Sequence, residues 1–286
     1  MRTEFAPRFE ERFAAQIAFE KSLQESDASG IFNITAGLYL DTVFPADKYI
    51  LTEYFEDNDG VEHELYGPEV FFRRQIQQQL DSQEENQPVN VLDIGGGVGL
   101  SWRKLSLYYE DLVREGRMSF IVSNLHQIDT NLAKVDGDLV RKTNGLVHYV
   151  SGTFDTLGDQ TITTSAGVIP IRGNIDIAHE NLSLTSWGKI PEVDIPEVAN
   201  YIRPNGLYIV PEADTRQLNS KYSSSLARAT HFPQEIADRL EGIAIAHQRL
   251  EDIGLRRETC IETGSKKGER TSYIMFKGRN APPIAA

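Results

Sequence analysis

Between Asn90 and Trp102 the chain reads NVLDIGGGVGLSW, which sets a carboxylate, Asp93, two residues ahead of Gly95, Gly96, Gly97 and Gly99. Glycines so closely spaced permit positive φ and let a ligand approach bare backbone. A carboxylate beside them can accept hydrogen bonds from the ligand. Imidazoles follow two later apolar runs: His126 stands beyond MSFIVS, and His179, with Glu180, directly ends NIDIA. An imidazole is suited to removing a proton near neutral pH. The chemistry indicated is therefore capture of a small ligand on a glycine turn, with a nearby base. His179 is the first candidate for that base and His126 the alternative, and either could instead be a structural hydrogen-bonding histidine.

The elements that must position these groups can be read from spacing. Val91, Leu92 and Ile94 form a short apolar run of the kind a buried strand has, and the glycines end it abruptly. Beyond them Trp102, Leu105, Tyr109, Leu112 and Val113 recur at three-to-four spacing, which predicts a helix with one buried face, terminated at Gly116. A dinucleotide site would need G-x-G-x-x-G. The frame from Gly95 puts Leu100 in the third glycine position and the frame from Gly97 puts Trp102 there, so both fail.

What remains, Asp93-x-Gly95-x-Gly97-x-Gly99, resembles the first motif of the class I (Rossmann-like) S-adenosylmethionine-dependent methyltransferases. The resemblance extends to the order of elements from Val89 to the C-terminus, including YIRPNGLYIV as helix, proline-glycine turn and fifth strand. It implies an α/β fold: a mostly parallel sheet with an antiparallel C-terminal strand. It also implies S-adenosyl-L-methionine as cofactor, its methionine portion held by Asp93 and the backbone of Gly95, Gly96, Gly97 and Gly99. Family members usually carry an acidic residue at the end of the second strand for the ribose hydroxyls; here Asn124 stands there, a neutral amide with one acceptor oxygen. After the third strand the resemblance places Thr153 or Asp155 as acceptor for the adenine amine and Phe154 as the ring stacked on it. A capped turn explains Ser151 to Asp155 equally well. Glu180 emerges with His179 at the carboxyl edge of the fourth strand, where ligands of open α/β sheets sit.

Before Val89 the chain is expected to form an N-terminal α+β cap, residues 1–88, ahead of the cofactor-binding core, residues 89–286. Phe5, Phe9, Phe13 and Ile17 share one helical face. The runs around Asn58-Asp59-Gly60 suggest a hairpin, and Gly67-Pro68-Glu69 opens a helix carrying Phe72, Ile76 and Leu80. The cap is read as packing against the core, as a substrate lid, or as a segment through which a homodimer forms. Later, Thr161 to Gly173 reads as an inserted hairpin, and Ile236, Leu240, Ile243, His247 and Leu250 as one helical stripe, with His247 a packed and satisfied histidine. Cys260 to Thr263 and Tyr273 to Lys277 read as the closing strand pair.

Composition narrows the function. A formal net charge of −13 over 286 residues, with no cationic run longer than pairs such as Arg73-Arg74, speaks against a nucleic-acid substrate. No apolar run approaches the roughly 20 residues that cross a bilayer, and the charged N-terminus is not a secretory signal; a cytoplasmic protein with no membrane partner is expected. The single Cys260 excludes an intramolecular disulfide and a multi-cysteine metal site, and no metal is expected. A small-molecule acceptor, most often an oxygen, follows, since the Asn/Asp-Pro-Pro-Tyr sequence of many amino methyltransferases is replaced by His179-Glu180-Asn181. The rival readings are the same fold with another activity (aminopropyl transfer, or a cofactor-assisted lyase or cyclase), a nicotinamide oxidoreductase, and a non-catalytic binding protein.

Overall fold

The computed structural model describes residues 53–65, 67–83, 87–96, 99–124, 137–152, 154, 156–165, 167–180, 191–211, 233–264 and 270–278. The expected N-terminal helix at Phe5 to Ile17 lies outside these residues.

The described chain opens with a hairpin, β1 (Glu53–Glu56) and β2 (Glu62–Leu65), at the expected Asn58-Asp59-Gly60 turn. Helix α1 (Gly67–Ser82) follows, with Glu69 in its first turn, where a negative charge complements the helix dipole. Then come β3 (Val89–Ile94), α2 (Leu100–Tyr108), α3 (Glu110–Arg114), β4 (Met118–Asn124), α4 (Gly137–Lys142) and β5 (Val147–Ser151). A second hairpin, β6 (Thr161–Thr164) with β7 (Gly167–Pro170), occupies the expected insertion. The chain continues through β8 (Ile175–Glu180), α5 (Pro191–Asp194), a 3₁₀ turn at Ile195–Asn200, β9 (Ile202–Pro211), α6 (Pro233–Asp252), β10 (Arg256–Gly264) and β11 (Arg270–Lys277).

Among the described residues seven strands form one sheet in the order β5-β4-β3-β8-β9-β11-β10. Strands β3, β4, β5, β8 and β9 run parallel; β11 is antiparallel to both β9 and β10, so it alone runs against the rest. This is the α/β class expected from the sequence. The order reverses at β3: the chain first builds outward to β4 and β5, then returns to add β8 and β9 on the other side.

Every residue of β3 and of β8 is buried, as strands covered on both faces must be. On one face Leu92, Ile94, Ile121, Ala178, Tyr208 and Phe276 pack with Ala246 and Leu250 of α6. On the other, Val91, Phe120, Val122, Ile177 and Ile209 meet Phe72 and Ile76 of α1 and Trp102 and Leu105 of α2. Helix α1 thus shares one apolar cluster with the core strands, its four-residue spacing placing Phe72 and Ile76 against them.

Two expectations differ in detail. The helix expected from Trp102 through Val113 is broken at Tyr109 (φ −108°) into α2 and α3. Tyr109 is buried and donates its hydroxyl to the carbonyl of Arg73 on α1 at 3.0 Å, a contact that a continuous helix pattern does not encode. The proline-glycine turn lies inside β9. Ile202 pairs with Ile175 and Leu207 with Ile177, so the extra residues bulge out around Asn205, whose φ is 63°.

Two polar clusters fasten the edges of this arrangement. Asp57 accepts hydrogen bonds from the backbone N–H of Asp59 and Val61, from His63 Nε2 at 2.7 Å and from Lys142 Nζ at 2.6 Å, tying the hairpin to α4. At the amino end of the sheet, buried Asp176 accepts from the Asn90 N–H at 2.7 Å and Gln83 Nε2 at 2.5 Å, with Arg203 Nε 3.2 Å away. Arg203 also donates to the carbonyls of Pro88 and Asn174. Among the described residues no helix is long and apolar enough to cross a membrane.

Candidate functional site

A crevice opens in an open α/β sheet where the strand order reverses, at the carboxyl ends of the strands. Here that point lies between β3 and β8, and the glycine turn follows β3 directly. Gly95 (φ 78°) leaves the strand, its N–H bonded to the Ser123 carbonyl at 3.1 Å and facing the Ser123 hydroxyl at 3.2 Å. Gly99 (φ 65°) caps α2, with its N–H on the Gly96 carbonyl at 2.8 Å. Both conformations favour glycine over residues that carry a Cβ. The turn therefore presents backbone, without side chains at these positions, above the sheet edge.

Asp93 lies beneath this turn. The register pairs it with Val122 on one side and with His179 on the other. All three share the face covered by α1 and α2. His179 Nδ1 is 3.0 Å from Asp93 Oδ1. A carboxylate oxygen can only accept, so the shared hydrogen is the one on Nδ1. The two side chains are each 7% exposed. The other carboxylate oxygen, Oδ2, sits under Gly96: a Cβ at that glycine would lie 1.8 Å from it and 2.5 Å from Cγ. Gly96 is thus required by contact, whereas Gly95 and Gly99 are required by backbone conformation.

Aromatic rings close around the imidazole. The Phe72 ring stands edge-on to His179 at 4.5 Å between centroids, Trp102 does so at 5.7 Å, and Phe72 and Trp102 lie 4.9 Å apart. Helix α1 supplies one ring and α2 the other, so the elements flanking the turn meet on His179.

Of the residues singled out in the sequence, the structure brings together Asp93, Gly95, Gly96, Gly99, His179 and Glu180 at the ends of β3 and β8. Glu180 is buried on the opposite face from His179, next to Tyr208, whose hydroxyl is pushed well up in pKa by burial and by the Glu180 charge. Phe154 is 1% exposed and belongs to the apolar cluster on that face. Asn124 ends β4 opposite Ser151, as expected for a residue at that edge; its side chain lies outside the described residues. So do Gly97, His126, Thr153 and Asp155. His247 packs on Phe276 at 5.0 Å, and burial, with help from the Arg257 charge, lowers it to about 4. Its Nε2 has no hydrogen-bond partner among the described residues, so it is packed but not satisfied there.

Sequence reading missed the support beneath Gly99. Arg103, one turn into α2, is buried and donates to the Thr143 hydroxyl and, at 2.6 Å, to the Tyr149 hydroxyl, with its guanidinium over the Tyr149 ring at 5.5 Å. That Tyr149 hydroxyl would be 3.8 Å from a Cβ at Gly99. The partners lie 40 and 46 residues away, and no local pattern announces them. Ser123 was likewise unmarked.

No protein-family model matches the chain, and no curated protein matches it. Solved structures do. The chain is similar to the CurJ carbon methyltransferase (TM-score 0.49, 13% identity), covering 74% of this chain but little more than half, 54%, of that one. It is also similar to a geranyl diphosphate methyltransferase solved with GPP and sinefungin (TM-score 0.43, 11% identity, 73% of this chain and 76% of that one). A third is the N-methyltransferase NodS from Bradyrhizobium japonicum (TM-score 0.42, 11% identity, 74% of this chain and 98% of that one).

Proposed function

We propose that the protein is an S-adenosyl-L-methionine-dependent methyltransferase acting on a small-molecule acceptor, with oxygen the first choice of methyl-accepting atom. The observation that carries this reading is the coincidence of three features at one place: the reversal of strand order at β3, a turn built from Gly95, Gly96 and Gly99, and a carboxylate immediately beneath it. A bare turn over a carboxylate fits the amino-acid end of the cofactor. The failed third glycine position of the dinucleotide spacing speaks against a nicotinamide.

When bound, the cofactor supplies a sulfonium methyl group, which is both the electrophile and its own leaving-group activation. The chain's part is to hold and align. The backbone of Gly95, Gly96, Gly97 and Gly99 would receive the cofactor, and Asp93 would act on it from under Gly96. Asn124 would meet the ribose, with Thr153, Phe154 or Asp155 near the adenine and Glu180 at the far side of the crevice. In-line displacement needs the acceptor oriented and dried; Phe72 and Trp102 keep water from the Asp93 side. A proton released by the acceptor would pass to His126 or His179. The burial of His179 and its bond to Asp93 favour His126 for this step. Residues 1–88 are the natural place for substrate selection and for a dimer contact, and the enzyme is read as cytoplasmic.

Titration calorimetry with S-adenosylmethionine, S-adenosylhomocysteine and NAD tests the reading. Micromolar-range binding of the first two is expected, abolished or strongly weakened by Asp93→Ala. Binding of NAD alone would overturn it. Transfer of a labelled methyl group to a panel of phenols, hydroxy acids and amines then assigns the acceptor atom, and labelling confined to amines would replace oxygen by nitrogen.

A further inference from the structure

Asp93 and His179 are adjacent across the β3–β8 ladder, and each is covered from above. Over Asp93 lies Gly96, with no room for a Cβ on that glycine against Oδ2. Over His179 lie the Phe72 and Trp102 rings. The bond from Nδ1 to Oδ1 at 3.0 Å joins these two stacks. A buried carboxylate without a donor is costly and would turn toward any donor it could find; the imidazole removes that freedom.

We propose that His179 is a positioning residue: by donating Nδ1–H to Asp93 it fixes the carboxylate under Gly96 and so holds the glycine turn in the shape that accepts the cofactor. This rests on the reading of the turn as the cofactor site. Through Phe72 the same contact links helix α1 of the cap segment to the cofactor turn. A substrate-facing base would instead need an open path from the imidazole to the acceptor, and His179 is 6% exposed between two rings.

The test uses three substitutions in the full-length protein, with S-adenosylhomocysteine affinity, methyl-transfer turnover and thermal unfolding all measured. His179→Asn keeps an amide N–H two bonds from Cβ, where Nδ1 stands. His179→Gln moves it one bond farther, and His179→Leu removes it. Expected are affinity within about threefold of wild type for His179→Asn and a loss of about tenfold or more for the other two, the size of losing one hydrogen bond to a charged group. If His179→Leu does not fold, the asparagine and glutamine variants decide alone. Equal, wild-type affinity in both amide variants would overturn the proposal. So would a His179→Asn enzyme with intact affinity and turnover lowered a hundredfold or more, which is the behaviour of a lost base. If the wild-type protein itself fails to bind S-adenosylhomocysteine, the reading of the turn as a cofactor site falls, and this inference falls with it.

Discussion

Replacing Gly96 by alanine tests the packing of the site with a single methyl group. The added carbon would stand 1.8 Å from Asp93 Oδ2, 2.5 Å from Asp93 Cγ and 3.0 Å from Val122 Cγ1. Relief by rotating Asp93 is blocked on its other side, because Oδ1 holds His179 and the side chain is buried. Either the turn lifts or the carboxylate swings away and loses its donor. Overpacking of this kind costs about 1–3 kcal/mol. Losing a hydrogen bond to a charged group adds about 1.5–3 kcal/mol. The cost is therefore about 1–3 kcal/mol if the turn lifts and about 2.5–6 kcal/mol if the donor is lost as well, a fall of roughly 2–24 °C in unfolding midpoint at the roughly 2–4 °C per kcal/mol of chains of about 150–250 residues. Gly60→Ala is the control: φ there is 76° with nothing within 4 Å, so only the backbone cost of about 1–2 kcal/mol applies. Differential scanning calorimetry gives the midpoints, and titration with S-adenosylhomocysteine gives the affinities. Gly96→Ala should lose both stability and affinity, and Gly60→Ala only a little stability. A Gly96→Ala protein within 2 °C of wild type (roughly 1 kcal/mol or less) and with unchanged affinity would refute the close packing on which the site description stands.

Two further outcomes concern the polar clusters. Burial pushes Asp176 up to about 6 from an ordinary 3.8, against the pull of Arg203, the Asn90 N–H and Gln83. The folded state therefore binds this proton more tightly than the unfolded chain does. The group's contribution to stability is full below about pH 4 and is lost as pH rises through about 6, so Asp176→Asn should flatten the fall in urea midpoint over that window; an unchanged slope would show that another group sets it. For Asp57, burial works against the charge, but hydrogen bonds from Lys142, His63, Val61 and Asp59 outweigh it and hold the carboxyl below the usual range. Its folded-state pKa is depressed, so this anchorage persists down to strongly acid pH. Lys142→Met should speed amide hydrogen exchange in β1 and β2 while leaving β3 and β8 protected, and uniform protection throughout would count against the tie.

The parts of this fold legible in the sequence are those written in local spacing. The glycine run after a short apolar segment marked β3, its turn and α2; Asn58-Asp59-Gly60 marked the first hairpin; alternating helix and strand signals gave a sheet closed by β10 and β11. What spacing could not express was which strand lies beside β3. The contact of Asp93 with His179 spans 86 residues and exists only because β8 pairs next to β3 in that register. Each residue was singled out alone, one as a cofactor anchor and one as a base, and only the ladder joins them. The same holds for Arg103 with Tyr149, and for Asp176 with Asn90 and Arg203, where buried polar atoms find partners through tertiary folding alone. Tyr109 illustrates the converse: a residue that fits a helical stripe interrupts the helix because its hydroxyl is claimed by α1.

Among the described residues β10 ends the sheet on one side and β5 on the other. A sheet that ends in a strand leaves a row of unpaired backbone groups, ready to recruit another chain and begin aggregation. On β10 the first residues are Arg256 and Arg257, both exposed, followed by Glu258, and the ladder to β11 slips between Glu258 and Ile261. Charge and an irregular backbone together make β10 a poor template for a further strand, which guards this side of the sheet against growth.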